Sequence, residues 1–138
     1  MSPAPVFPQP SGFCSRFQIK RMLIVDDEPK ICDCLARYFR GKGVDVQLAE
    51  TGHEAIRILM EEPPAPDTVL LDIHLPDIKG LQVLRRIKEL HPDVRVIMVT
   101  AEDEEEPRIE AKCYGAAGYI TKPFDLSEAT WAPVLFER

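Results

Sequence analysis

The chain has 138 residues, a length that suits one domain with one core and is too short for two. Its 45% hydrophobic and 29% charged residues are ordinary for a soluble globular protein, and a formal net charge of −6 argues against direct nucleic-acid binding by this segment. No apolar run reaches the length of a membrane-spanning helix, and no charged start followed by an apolar stretch marks a secretory signal, so the expected setting is cytoplasmic, without membrane contact.

Residues 1–20 (MSPAPVFPQPSGFCSRFQIK) carry four prolines before Ser11 and show no helical or strand period, so they read as a Pro-rich tail or linker. From Arg21 the pattern changes. Met22-Leu23-Ile24-Val25 is a short continuous apolar run ending in acids, as a strand buried on both faces should be. Pro29 suits the first turn of a helix, whose apolar stripe runs through Ile31, Leu35 and Phe39 with Cys34 and Tyr38 beside it. Gly41 and Gly43 end that helix. Cys32 and Cys34, two apart, point away from each other and cannot jointly grip a metal; with Cys14 and Cys113 they read as reduced thiols. His53, His74 and His91 show no ligand spacing.

Val44 to Ala49 alternates as an edge strand does. Thr51-Gly52-His53-Glu54 forms a capping box, with Thr51 bonding forward and Glu54 bonding back. The helix it opens carries Ala55, Ile56, Leu59 and Met60 as apolar positions and stops at Pro63-Pro64-Ala65-Pro66, and His53 is a surface residue of its first turn. Thr68-Val69-Leu70-Leu71-Asp72 is a third strand. A helix follows from about Lys79 to Leu90, with Leu81, Val83, Leu84 and Ile87 apolar. Val94 to Thr100 is the fourth strand, Glu105 to Tyr114 the next helix, and Gly118 to Thr121 the last strand, followed by Lys122-Pro123-Phe124. Strand–helix alternation implies a parallel sheet with helices on both faces, since parallel strands need crossovers.

The informative residues stand at the strand ends. Asp26 and Asp27 follow the first strand, Asp72 ends the third, Thr100 ends the fourth and Lys122 follows the fifth. In an open parallel sheet the carboxyl ends share one edge, where ligands bind. Taken singly, an acid there is usually a turn residue or helix N-cap, and a Lys-Pro is usually a turn. Their joint occurrence points to one pocket. Three gathered carboxylates repel unless a hard cation compensates, and Mg²⁺ fits a site with few protein ligands. A metal and a lysine flanking one carboxylate suit phosphoryl transfer, with Asp72 as the nucleophile.

Four segments carry a resemblance: Leu23-Ile24-Val25-Asp26-Asp27-Glu28, Leu70 through Gly80, Val99-Thr100-Ala101, and Gly118 through Phe124. In this order and spacing they resemble the receiver domain of two-component response regulators, similar to the single-domain chemotaxis receiver, over Arg21 to about Leu126. The resemblance implies an α/β flavodoxin-like three-layer sandwich with strand order 2-1-3-4-5. It implies that Asp72 accepts a phosphoryl group from a histidine kinase or phosphotransfer domain. Asp27, Asp72 and the backbone carbonyl of His74 would contact Mg²⁺, with Asp26 acting mostly through metal-bound water. Thr100, Ala101, Tyr119 and Lys122 would bind the phosphoryl group or respond to it. His74 and Glu102 are candidates for setting the signal's lifetime. The chain would be a signalling switch that catalyses only its own phosphorylation and dephosphorylation.

Pro133 stands where the family's last helix should continue, so residues 127–138 are expected to form a shortened helix or tail. That puts the usual partner or homodimer face in doubt and leaves the downstream effector or output domain open. Two other functions compete. A Mg²⁺-dependent phosphatase of the haloacid dehalogenase type would place Asp-x-Asp on its first strand, whereas this chain has adjacent Asp26-Asp27. A degenerate receiver acting only as a binding module would lack some of the acceptor, acid pair, threonine and lysine, all of which are present.

Overall fold

The computed structural model describes residues 19–61, 63–127 and 130–132. The tail reading for residues 1–18 and the course of the chain from Pro133 lie outside them. Among the described residues five strands, β1 (Arg21–Val25), β2 (Asp45–Ala49), β3 (Thr68–Leu71), β4 (Arg95–Thr100) and β5 (Gly118–Thr121), alternate with four helices. These are α1 (Pro29–Arg40), α2 (Gly52–Glu61), α3 (Gly80–Leu90) and α4 (Glu105–Cys113). The strands form one parallel sheet in the order β2-β1-β3-β4-β5, as the resemblance implied. Among the described residues no helix is long and apolar enough to cross a membrane.

Side chains alternate across a strand, so each central strand feeds two cores. Leu23, Val25, Val69, Leu71, Val96 and Met98 face α2 and α3, where Ala55, Leu59, Val83, Leu84 and Ile87 close one core. Met22, Ile24, Leu70, Ile97, Val99 and Ile120 face the other way, against Cys32, Leu35, Ala36 and Phe39 of α1 and against Trp131. Apolar burial on both faces explains why β1, β3 and β4 read as unbroken hydrophobic runs.

The helices depart from their expected faces in two places. The stripe of α1 runs through Cys32 and Ala36, and Cys34 points to solvent. Met60, expected on the apolar face of α2, is 59% exposed because Ala55 and Leu59 already fill that face. The capping box forms with one shift. The Glu54 amide donates to Thr51 Oγ1 at 3.0 Å, but the Glu54 carboxylate accepts the amide of Glu50, one residue before the expected partner.

Past the last strand, Trp131 is buried. Its indole meets Phe39 and Phe124 edge-on, with ring centroids 5.8 Å and 5.4 Å away, and its Nε1 donates to the Asp125 carbonyl at 2.6 Å. This stretch therefore covers the end of α1 despite the proline beyond it.

Candidate functional site

Strand register brings the polar residues to one edge. Val25 pairs with Leu71 and Thr100 with Thr121, so the next residue of each strand stands just outside the sheet. Hydrogen bonds carry the ladders one step further: the Asp26 amide to Ala49 O (3.0 Å), the Asp72 amide to Val25 O (3.1 Å) and the Lys122 amide to Thr100 O (2.8 Å). Asp26, Asp27 and Asp72 thereby offer carboxylate oxygens that all lie within 4.8 Å of one another. Asp26 and Asp72 are buried and Asp27 opens to solvent.

Lys122 balances this charge. Its Nζ lies 2.8 Å from Asp26 Oδ2, 2.7 Å from Glu28 Oε1 and 3.0 Å from Asp72 Oδ2. Burial alone would lower the pKa of the ammonium, but the hydrogen bonds it donates to Asp26, Glu28 and Asp72 outweigh it and raise it, so the lysine stays charged. For Asp26 burial wins, and its carboxyl is held above the ordinary value despite Lys122 and the Glu28 amide. Behind the site, the Cys32 thiol donates to the Asp26 carbonyl at 3.1 Å, and burial followed by the Asp26 charge pushes it up to about 11. It is an inert thiol.

At the mouth, three contacts meet on Glu102. Its amide donates to Thr100 Oγ1 at 3.3 Å, its carbonyl accepts the Tyr119 hydroxyl at 2.5 Å, and its carboxylate lies 3.2 Å from His74 Nε2. Thr100 is buried, Ala101 is exposed and Tyr119 is half-buried under the Arg108 guanidinium, 4.4 Å from its ring centroid. Burial foremost, opposed by Arg108, raises the Tyr119 phenol. The fold thus gathers every residue singled out at the strand ends, and it places His74 and Glu102 side by side.

Two acids have contacts that local sequence does not announce. Glu28, next to the acid pair, touches Lys122. Asp77 accepts the amides of Gly52, His53 and Ile78, and its carboxylate lies 2.7 Å from His53 Nδ1. The His53 ring therefore contacts Asp77 while lying at the surface. Nothing in local spacing tells that an acid after a proline will cap a helix a quarter of a hundred residues away.

All the donors facing the cluster are oxygens, two of the three carboxylates are buried, and one lysine cannot neutralise four acids. That donor set fits a hard divalent cation and not a soft one. The family model for the response regulator receiver domain matches residues 22–132. The chain is 39% identical over 108 residues to the transcriptional regulatory protein TrcR of Mycobacterium tuberculosis, a match covering 78% of this chain and 41% of that protein. It spans less than half the length of the curated relatives it matches. Among solved structures it resembles a CheY-like receiver domain protein from Methanospirillum hungatei at 34% identity, with a TM-score of 0.71 and coverage of 78% and 85% of the two chains. It also resembles the CheX–CheY–BeF₃–Mg²⁺ complex from Borrelia burgdorferi at 33% identity and a TM-score of 0.73, covering 77% of this chain and 80% of that one. With the acid cluster and lysine standing where the sheet order puts them, the chain belongs to the receiver-domain family of two-component response regulators.

Proposed function

We propose that Asp72 is the phosphoacceptor of this receiver and that Mg²⁺ occupies the acid cluster beside it. The observation that carries the reading is the convergence on Asp72 of two further carboxylates within 4.8 Å and the Lys122 ammonium at 3.0 Å. Asp27, Asp72 and the His74 carbonyl would hold the cation directly, and Asp26, engaged with Lys122 and the Glu28 amide, would act through its water. Bound there, the cation neutralises the clustered acids and polarises the phosphoryl oxygens.

The donor is a phosphohistidine of a histidine kinase or phosphotransfer domain in the cytoplasm. A carboxylate oxygen of Asp72 attacks phosphorus, the O–P bond forms as the N–P bond breaks, and the departing imidazole leaves with the N–P electron pair and takes a proton from solvent. Lys122 moves from the bare carboxylate to a phosphoryl oxygen. The Thr100 hydroxyl and the backbone at Ala101 meet another, and the added charge of about −1.5 to −2 draws the loop inward. Tyr119, already bonded to the Glu102 carbonyl, responds to that loop and passes the change to α4 through Arg108. The result is a population shift at a partner or homodimer face. The His74 amide donates to Asp72 Oδ1 while its ring contacts Glu102 at 3.2 Å, which suits both residues to setting how long the acyl phosphate survives. Residues 21–126 form the core of the receiver, with residues 1–20 as a Pro-rich tail or linker before it.

Incubation with phosphoramidate and Mg²⁺, followed by intact mass, tests this. One phosphate-sized gain is expected, absent without Mg²⁺ and absent in Asp72→Ala. Turnover of a generic phosphomonoester without a retained phosphate overturns it in favour of a phosphatase.

A further inference from the structure

The turn from Asp72 to Gly80 must present a carboxylate and a backbone carbonyl to the acids of β1. Inside the turn, the Gly80 amide donates to the Ile73 carbonyl at 2.7 Å and the His74 amide to Asp72 Oδ1 at 3.1 Å. A Cβ at Gly80 would stand 2.0 Å from the Asp72 carbonyl oxygen, so the turn closes this tightly only with glycine. These bonds hold the turn's shape, and the Asp72 amide on Val25 O ties its first residue to β1. They do not fix the far part of the turn, from His74 on, relative to the rest of the domain.

Asp77 does that from outside the acid cluster. Its Oδ1 accepts the Gly52 amide at 2.9 Å and the Ile78 amide of its own turn at 2.8 Å, while Oδ2 accepts the His53 amide at 2.8 Å and meets His53 Nδ1 at 2.7 Å. Gly52 makes the approach possible, because a Cβ there would lie 2.5 Å from Ile78 Cγ1. Capping the helix from another loop also ties that loop to it. Thr51 already caps α2 through the Glu54 amide, and Asp77 adds the first two helical amides from a separate loop. Charge-assisted bonds to rigid backbone donors resist displacement better than neutral ones.

We propose that Asp77 is a positioning residue for the acceptor: by clasping the start of α2 it fixes the turn that presents Asp72 and the His74 carbonyl to the cation. The inference rests on the reading of Asp72 and Mg²⁺ above. A turn released at Asp77 keeps its internal bonds and the Asp72 bond to Val25 O, but its part from His74 on is free to shift relative to β1, and a site with few protein ligands loses affinity when one of them drifts.

Asp67 supplies the control. At the opposite edge of the sheet it accepts the Lys20 amide at 2.8 Å, the Arg21 amide at 3.1 Å and the Thr68 hydroxyl at 3.0 Å, a comparable set of bonds far from the acids. The experiment is calorimetric titration of wild type, Asp77→Ala, Asp77→Asn and Asp67→Ala with Mg²⁺ alone, each variant's folding being checked by thermal melting. The Mg²⁺ affinity is expected to weaken about tenfold in Asp77→Ala, less in Asp77→Asn, and to stay within about twofold in Asp67→Ala. Equal weakening in Asp67→Ala and Asp77→Ala, or none in either, overturns the proposal. Should Asp77→Ala fail to fold, Asp77→Asn carries the same comparison, and wild-type affinity there overturns it. A wild-type chain that binds no Mg²⁺ overturns the site reading and the clasp together, whereas normal wild-type binding with an unaffected Asp77→Ala overturns the clasp alone.

Discussion

Lys122 Nζ stands 3.0 Å from Asp72 Oδ2, joining two residues fifty apart in sequence across the end of the sheet. The same ammonium touches Asp26 and Glu28, so one cation restrains three acids. Removing it by Lys122→Ala leaves buried carboxylates uncompensated, which is expected to cost about 2–3 kcal/mol in urea unfolding at neutral pH without divalent cations. Phosphoryl gain from phosphoramidate should slow in the same variant, because the charge developing on the phosphoryl oxygens loses its protein partner. Unchanged stability would show that solvent already screens the cluster.

Asp26 should behave in the opposite sense. Burial holds its carboxyl above the ordinary value, so the folded state pays to keep it charged. Asn retains an oxygen for the Glu28 amide, which Asp26 Oδ1 accepts at 2.9 Å, while removing the buried charge. Asp26→Asn is expected to raise stability by about 1 kcal/mol in thermal unfolding without divalent cations and to weaken Mg²⁺ binding. A lowered melting temperature would mean that the Lys122 pair outweighs desolvation.

What the sequence revealed and what it hid have one physical origin. β1, β3 and β4 are covered on both faces, so their apolar runs announce themselves, and a parallel sheet then sends Asp26, Asp27, Asp72, Thr100 and Lys122 to a common edge without further information. The hidden features are contacts between loops. Asp77 looks like a turn residue after Pro76, and only the packed α2 shows what it binds. Glu54 reaches Glu50, a shift of one residue that the capping pattern does not encode. Cys34 faces outward because the true stripe of α1 passes through Cys32 and Ala36, whose small size leaves no strong periodic signal.

The Asp77 carboxyl gives the acid limb of stability a readable component. Partial desolvation opposes ionisation, yet the amides of His53, Gly52 and Ile78 pull it down to about 2 from 3.8. A depressed acid stabilises the fold above its unfolded value, and that contribution disappears as pH falls through the folded value. The window is therefore roughly pH 4 to 2, and screening at this solvent-facing position reduces the effect to about 1 kcal/mol. Urea midpoints of Asp77→Asn and wild type should converge as pH drops through that window and separate above it. A constant gap at every pH would assign the difference to lost hydrogen-bond geometry and not to charge.

Trp131 decides whether the stretch after Lys122 belongs to the folding unit. It is the sole tryptophan of the chain, it is 1% exposed, and it stacks edge-on between Phe39 of α1 and Phe124, two residues beyond the site lysine. Its indole N–H is satisfied by the Asp125 carbonyl, and Asp125 in turn accepts Ser127 and Thr130, so hydrogen bonds within the segment accompany its packing on α1. Trp131→Ala empties a site no neighbour can refill and is expected to cost about 3–5 kcal/mol, whereas Trp131→Phe keeps most of the ring packing and loses chiefly the hydrogen bond, at about 1–2 kcal/mol. Because fluorescence reports this residue alone and far-UV circular dichroism reports the helices, the two probes should trace one urea transition in the wild type. If fluorescence changes at lower urea while the helices persist, the indole docks on a domain already complete without it, and the large cost of Trp131→Ala should vanish with it.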